Sequence, residues 1–177
     1  HQEGGRIVEY VDNKILFTVG EFRYRDYAQN KDIVFGKIVS IDLDTAVYEV
    51  ISMGHRNPQG LKYLKEENII VNSEHGPIGG DELNVNFDPE NEIENFGWPI
   101  SSYGEHFGFK KRDDNHKLYK KAPYYDSHEK YGFIEPVKYW KPSIGTSEII
   151  ILKPNTFTVN SNREILVAAM GNKVKEG

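Results

Sequence analysis

Short runs of alternating apolar and polar residues, closed by tight turns, limit the folds open to this chain more than any other feature. Arg6–Val11 is one such run, Asp12-Asn13 follows, and Lys14–Gly20 is the next. In the second run Ile15, Phe17 and Val19 share one face and Leu16 and Thr18 the other, the period of a strand. Two turn-forming residues between such runs predict a hairpin. Gly36–Leu43 and Ala46–Ser52 flank Asp44-Thr45 in the same way, and Gly60–Leu64 and Asn68–Glu74 flank a short polar turn. Glu82–Phe87, Val137–Trp140, Ser147–Lys153 and Arg163–Met170 continue the series. This makes about ten strands at hairpin spacing, with no 3.6-residue period long enough for a helix. The chain is predicted to be all-β, as a sandwich, barrel or propeller. Between residues 101 and 131 the alternation lapses into a Gly-, Lys- and Tyr-rich connection, a length of irregular chain usually tied to function.

Composition narrows the function classes. A chain of 177 residues suits one domain, and 38% hydrophobic with 28% charged residues is globular rather than disordered. The net charge of −5 and the scattered Lys and Arg argue against a nucleic-acid reader, which needs a concentrated basic face. The run Phe109–Lys121 is basic but broken by Asp113 and Asp114, and reads as a solvated loop. There is no Cys, which removes disulfides, thiolate metal sites and Cys nucleophiles. No apolar run approaches the ~20 residues of a membrane span. No targeting segment is visible, and an opening His1 in place of Met is expected to be a boundary within a longer protein.

Three stretches carry chemistry beyond turn geometry. In Gly54–Leu61, Arg56 offers a five-donor fork for carboxylate or phosphate, and Pro58 pushes Asn57 toward extended backbone. In Ser73–Asn84, Glu74, Asp81 and Glu82 bracket Gly76, Pro77, Gly79 and Gly80, a mix of carboxylates and turned backbone that suits a hard cation such as Ca²⁺. The simpler reading is an Arg56 ion pair and a Gly-rich hairpin with solvated acids. The third is His1, whose imidazole and α-amine together make a copper-chelating pair. None of His55, His75, His106, His116 and His128 stands at a diagnostic spacing for that metal.

Taken in order, "HQEGGRIV", "GHRNPQGL", "SEHGPIGGDELN", "NFGWP" and "YWKPSIGTS" resemble the soluble, pyrroloquinoline-quinone (PQQ)-dependent glucose and aldose-sugar dehydrogenases, the glucose/sorbosone dehydrogenase family. The resemblance covers nearly the whole chain and is weakest from Ser101 to Tyr131. It implies a six-bladed β-propeller of four-stranded blades, of which residues 1–177 would form a partial domain of about 2.5–3 blades. Such a piece needs the remaining blades or a second chain against its open faces. It also implies roles. Arg56, Asn57 and Lys173 would hold the PQQ cofactor, His1 would be the catalytic base, and carbonyls of Gly76 and Pro77 would bind a Ca²⁺ beside the quinone. Asp81 and Glu82 fall where some members bind a further Ca²⁺. The implied partners are an aldose sugar, oxidised at its anomeric carbon, and an electron acceptor, and the implied location is periplasmic or secreted. The chain departs from the family at Phe96 (usually Tyr), at Thr146 (often Pro), and at Gly171, where the cofactor-facing Lys is expected and Lys173 follows two residues later. Other family cofactor contacts, an upstream Gln and downstream Arg residues, have no counterpart here. The alternative is a non-catalytic propeller that binds carbohydrate or protein on the same scaffold.

Overall fold

The computed structural model describes residues 1–107, 116–154, 156 and 163–171. Strands β1 (Gly4–Glu9), β2 (Lys14–Val19), β3 (Lys37–Asp42) and β4 (Tyr48–Met53) form an antiparallel sheet in chain order, with the two-residue β8 (Glu94–Asn95) added parallel to β4. A second sheet has the order β5 (Pro58–Leu64), β6 (Ile69–Glu74), β7 (Asp81–Asn86) and β9 (Lys138–Trp140). β10 (Thr146–Leu152) and β11 (Glu164–Ala169) pair as a third. Each predicted run is a strand within a residue or two. β8 lies outside them, and a five-residue helix, α1 (Lys117–Lys121), stands where only a loop was expected. The rest of the connection is irregular apart from a 3₁₀ turn at Glu129–Tyr131, and residues 108–115 of it lie outside the described residues.

Local chemistry sets the turns. Asp12 and Asn13 have φ of 51° and 60°, the two positive values of a type I′ turn, whose twist matches a hairpin. At the next turn Asp42 Oδ1 accepts the N–H groups of Asp44 and Thr45 at 3.0 and 2.8 Å. Pro58, which has no N–H to give, sits at the first position of its strand.

The first strands of the three sheets lie side by side: β1 packs on β5, and β5 on β10. Alternation then fills both gaps. Ile70 of β6 joins Tyr10, Leu16, Ile38, Ile51 and Leu61 between the first and second sheets. Its neighbour Val71 points the other way, onto Leu83, Val85 and Ile149 between the second and third. A strand buried on both faces has no solvent side, and β7 is buried along its whole length. Sheets set side by side through their first strands are the blades of a propeller.

Candidate active site

The loops at one end of these first strands line an open cavity of about 380 Å³. His1 and Gln2 stand just before β1, Arg56 and Asn57 before β5, Ser143 and Gly145 before β10, and His75, Gly76 and Pro77 follow β6; all line it. Strand direction alone places these residues together, because the last residues of an antiparallel partner return to the end where the first strand began.

The chain holds the amino-terminal segment close. Gly20 N donates to Glu3 O at 3.0 Å and Phe22 N to Gln2 O at 3.1 Å, while Asn57 Oδ1 accepts from Gly4 N at 3.2 Å. A side chain on Gly20 would put its Cβ 1.9 Å from Gln2 O, so only glycine permits this approach. His1 keeps its side chain largely in solvent, 79% exposed, and its α-amine pairs with Glu3 Oε1 at 2.8 Å.

Arg56 is 6% exposed. Its Nη1 donates to His75 O at 2.8 Å, its guanidinium carbon lies 5.3 Å from the centre of the Trp98 ring, and its Nε is buried without a partner among the described residues. Gln2, with its amide turned to suit both neighbours, accepts from Arg56 Nη2 at 2.6 Å and donates to Glu21 Oε1 at 2.5 Å. Glu21 is fully buried. Burial pushes its carboxyl above the ordinary range, and Arg56 and Arg25 pull it back. The cavity lining carries the guanidinium groups of Arg23 and Arg56 against the one carboxylate of Asp81, which suits an anionic ligand.

The acids expected near Ca²⁺ do not converge. Asp81 Oδ1 accepts from Gly76 N at 3.1 Å, and its Oδ2 from Ile144, Gly145 and Thr146 N at 3.1, 2.7 and 3.4 Å. That carboxylate is occupied in closing the loops. Glu82, the next residue on a strand, faces the opposite side, with its Oε1 3.5 Å from His128 Nε2. Burial, with the Glu74 charge nearby, pushes its carboxyl well above the usual carboxylate range. Glu74 is also turned inward, onto His55. Gly76 and Pro77 line the cavity together with Asp81, and Pro77 O receives a long 3.5 Å contact from the Ser143 hydroxyl. No cluster of three acids or His that suits a metal occurs among the described residues. Lys173 lies outside the described residues.

Sequence reasoning found His1, Arg56, Asn57, Gly76, Pro77 and Asp81, and the fold brings them to one cavity, while Glu82 lies outside it. It gave no role to Gln2 and Ser143, though both lie in the quoted motifs, and it missed Glu21 and Met170, which reach the site only through folding. A larger cavity of about 730 Å³ borders the first through Gln2, Arg23 and Phe107.

Fold and cavity together define a β-propeller that gathers its binding groups at one end of its innermost strands. The glucose/sorbosone dehydrogenase model matches residues 1–174, and the chain belongs to that family. It is 30% identical over 168 residues to the aldose sugar dehydrogenase YliI of Escherichia coli, covering 87% of this chain and 41% of that protein. The crystal structure of the soluble aldose sugar dehydrogenase from E. coli, in its apo form, superimposes with a TM-score of 0.70 at 28% identity, over 94% of this chain and 47% of that one. The PQQ-bound aldose sugar dehydrogenase from Streptomyces coelicolor superimposes with a TM-score of 0.57 at 25% identity, over 83% of this chain and 38% of the other. The chain therefore spans about two-fifths of its curated relative and about half of the E. coli structure.

Proposed function

We propose that this chain contributes the base, the principal anion-binding arm and the calcium loop of a PQQ-dependent, Ca²⁺-assisted aldose dehydrogenase. The observation that carries the reading is the single cavity holding His1, Arg56, Asn57, Gly76 and Pro77. Arg56 would grip a cofactor carboxylate as a fork, with Trp98 behind it, and the Asn57 amide would bond beside it. Lys173 is proposed as a further cofactor contact. Peptide oxygens of Gly76 and Pro77 would hold Ca²⁺, while Asp81 shapes the loop that presents them. The quinone, when bound, supplies a two-electron acceptor for hydride. His1, exposed at the cavity edge, would take the proton from the anomeric hydroxyl as the C–H electron pair leaves that carbon, giving the lactone.

The described sheets amount to two full blades and the start of a third, and the proposed domain is that partial propeller, completed by further blades or a second chain. No helix among the described residues is long and apolar enough to cross a membrane. A periplasmic or secreted location is part of the proposal, as is a separate electron acceptor.

The test is to load the full-length protein with PQQ and Ca²⁺ and follow sugar-dependent reduction of a dye. His1→Ala should lose turnover while the quinone still binds. Full turnover in that variant removes His1 from the chemistry, and no quinone uptake by the unmutated protein removes the dehydrogenase reading.

A further inference from the structure

Behind the Arg56-Asn57 arm, away from the cavity, lies a sealed polar chain. Ser52 Oγ is 2.8 Å from His55 Nε2, His55 Nδ1 is 3.1 Å from Glu74 Oε1, and Asn84 Nδ2 donates to that same oxygen at 2.8 Å. The sequence of groups is that of a nucleophile, base and acid, but Ser52 is 1% exposed and Phe96 stacks on the His55 ring at 4.9 Å. No substrate reaches that hydroxyl, so nucleophilic chemistry is excluded and a structural use must be found.

The use lies in the other oxygen. Glu74 Oε2 accepts the peptide N–H of Arg56 at 2.7 Å. Three donors thus meet on one buried group, and charge-assisted bonds of this kind are the strong ones. Two further bonds clasp the same segments: His75 N donates to Asn57 O at 3.1 Å and Arg56 Nη1 to His75 O at 2.8 Å. Glu74 ends β6 and is followed directly by His75, Gly76 and Pro77. It stands at the joint between the guanidinium arm and the Gly76-Pro77 loop.

We infer that Glu74 is a positioning residue: its carboxylate, oriented by His55, Ser52 and Asn84, fixes the Arg56-Asn57 peptide and thereby the direction in which the guanidinium meets the cavity. A long Arg side chain fixes a ligand's orientation only if its own backbone is immobile. The consequence for ligand binding rests on the cofactor reading above; the consequence for the peptide does not.

Two measurements on the full-length protein separate these. Glu74→Gln turns an NH₂ toward two donors, and Glu74→Asp keeps the charge but withdraws it by one methylene. In both, without quinone, amide exchange at Arg56 and Asn57 should quicken about tenfold or more while β2 and β3 keep their protection. Unchanged exchange at Arg56, or equal quickening everywhere, overturns the assignment. Quinone titration in the presence of Ca²⁺ then completes a cycle with Arg56→Met. Glu74→Gln should weaken binding about tenfold alone and add little once Arg56 is gone. Equal losses in both backgrounds mark a general packing defect and overturn it as well. Absence of quinone binding in the unmutated protein sinks the cofactor reading and leaves the exchange result to decide the role of Glu74.

Discussion

Lys37 is the most fully enclosed cation of the described chain, and replacing it with Met tests how the site's first loop is held. Its side chain is 0% exposed, and Nζ donates to Tyr27, Ala28 and Phe35 carbonyls at 3.0, 2.9 and 2.8 Å. These carbonyls belong to the loop between β2 and β3, which brings Glu21, Arg23 and Arg25 to the cavities. Two effects oppose each other. Burial pushes the amine down from 10.5 to about 8, a cost of about 3 kcal/mol at about 1.4 kcal/mol per unit. Met removes that cost. It also strands three acceptors, and each bond to a charged donor is worth about 1.5–3 kcal/mol, while breaking a buried charge arrangement from one side costs about 3–5 kcal/mol overall. The bonds win, and Lys37→Met should lose about 3 kcal/mol at pH 7.

The pH dependence has a definite sign. Between about 8 and 10.5 the unfolded chain binds more protons at this residue than the folded chain, so wild-type stability from this group rises with pH across that window. Met does not titrate, and the gap between the two proteins should widen by up to about 2 kcal/mol from pH 7.5 to pH 9.5. Urea unfolding of both full-length proteins at the two pH values measures it. A Met variant as stable as wild type at pH 7, or a gap that narrows as pH rises, refutes the reasoning.

Asp81→Asn should lose about 2 kcal/mol even in calcium-free buffer, because an amide NH₂ faces backbone N–H groups that now meet a carboxylate. Thermal unfolding with and without Ca²⁺ checks this, and a loss confined to the calcium-loaded protein would make Asp81 a metal ligand instead. Gly20→Ala drives a Cβ into Gln2 O and should displace His1, cutting turnover about tenfold or more with strand content unchanged by circular dichroism. Unaltered kinetics would show that the amino-terminal segment moves aside freely. Arg56→Lys keeps the charge but gives up the planar fork, and quinone affinity should fall about ten- to a hundredfold in a spectral titration. Equal affinity would reduce Arg56 to a point charge.

The strands were legible because both signals were local: an alternation of two and turns whose residues tolerate positive φ, as at Asp12-Asn13. β8 was not, since two residues paired in parallel with β4 carry no period. α1 was not, since five residues of a basic run look like the solvated loop around them. The family motifs carried His1, Arg56, Asn57, Gly76 and Pro77 to the site. They contained Ser143 and Gly145 but gave them no role, and did not reach Met170; the arrival of all three depends on β10 and β11 docking on the second sheet.

The acids around the Gly-rich loop show what a local reading lacks. Glu74, Asp81 and Glu82 look like one oxygen cluster in sequence, yet pairing register divides them. Glu74 lies opposite Glu82 across β6 and β7, and Asn72 opposite Asn84. These residues make an inward polar seam on the face that Ile70 shares with the first core. Asp81, one position away, falls on the face of Leu83 and Val85 and turns to the loops before β10. The parity was present in the sequence, because Leu83 and Val85 are apolar and Glu82, Asn84 and Asn86 are not. Adjacent acids on an extended strand point to opposite faces, so their side chains do not close on one ion together. Of the three acids, register leaves Asp81 alone at the cavity, beside the peptide groups of Gly76 and Pro77, where β6 has run out.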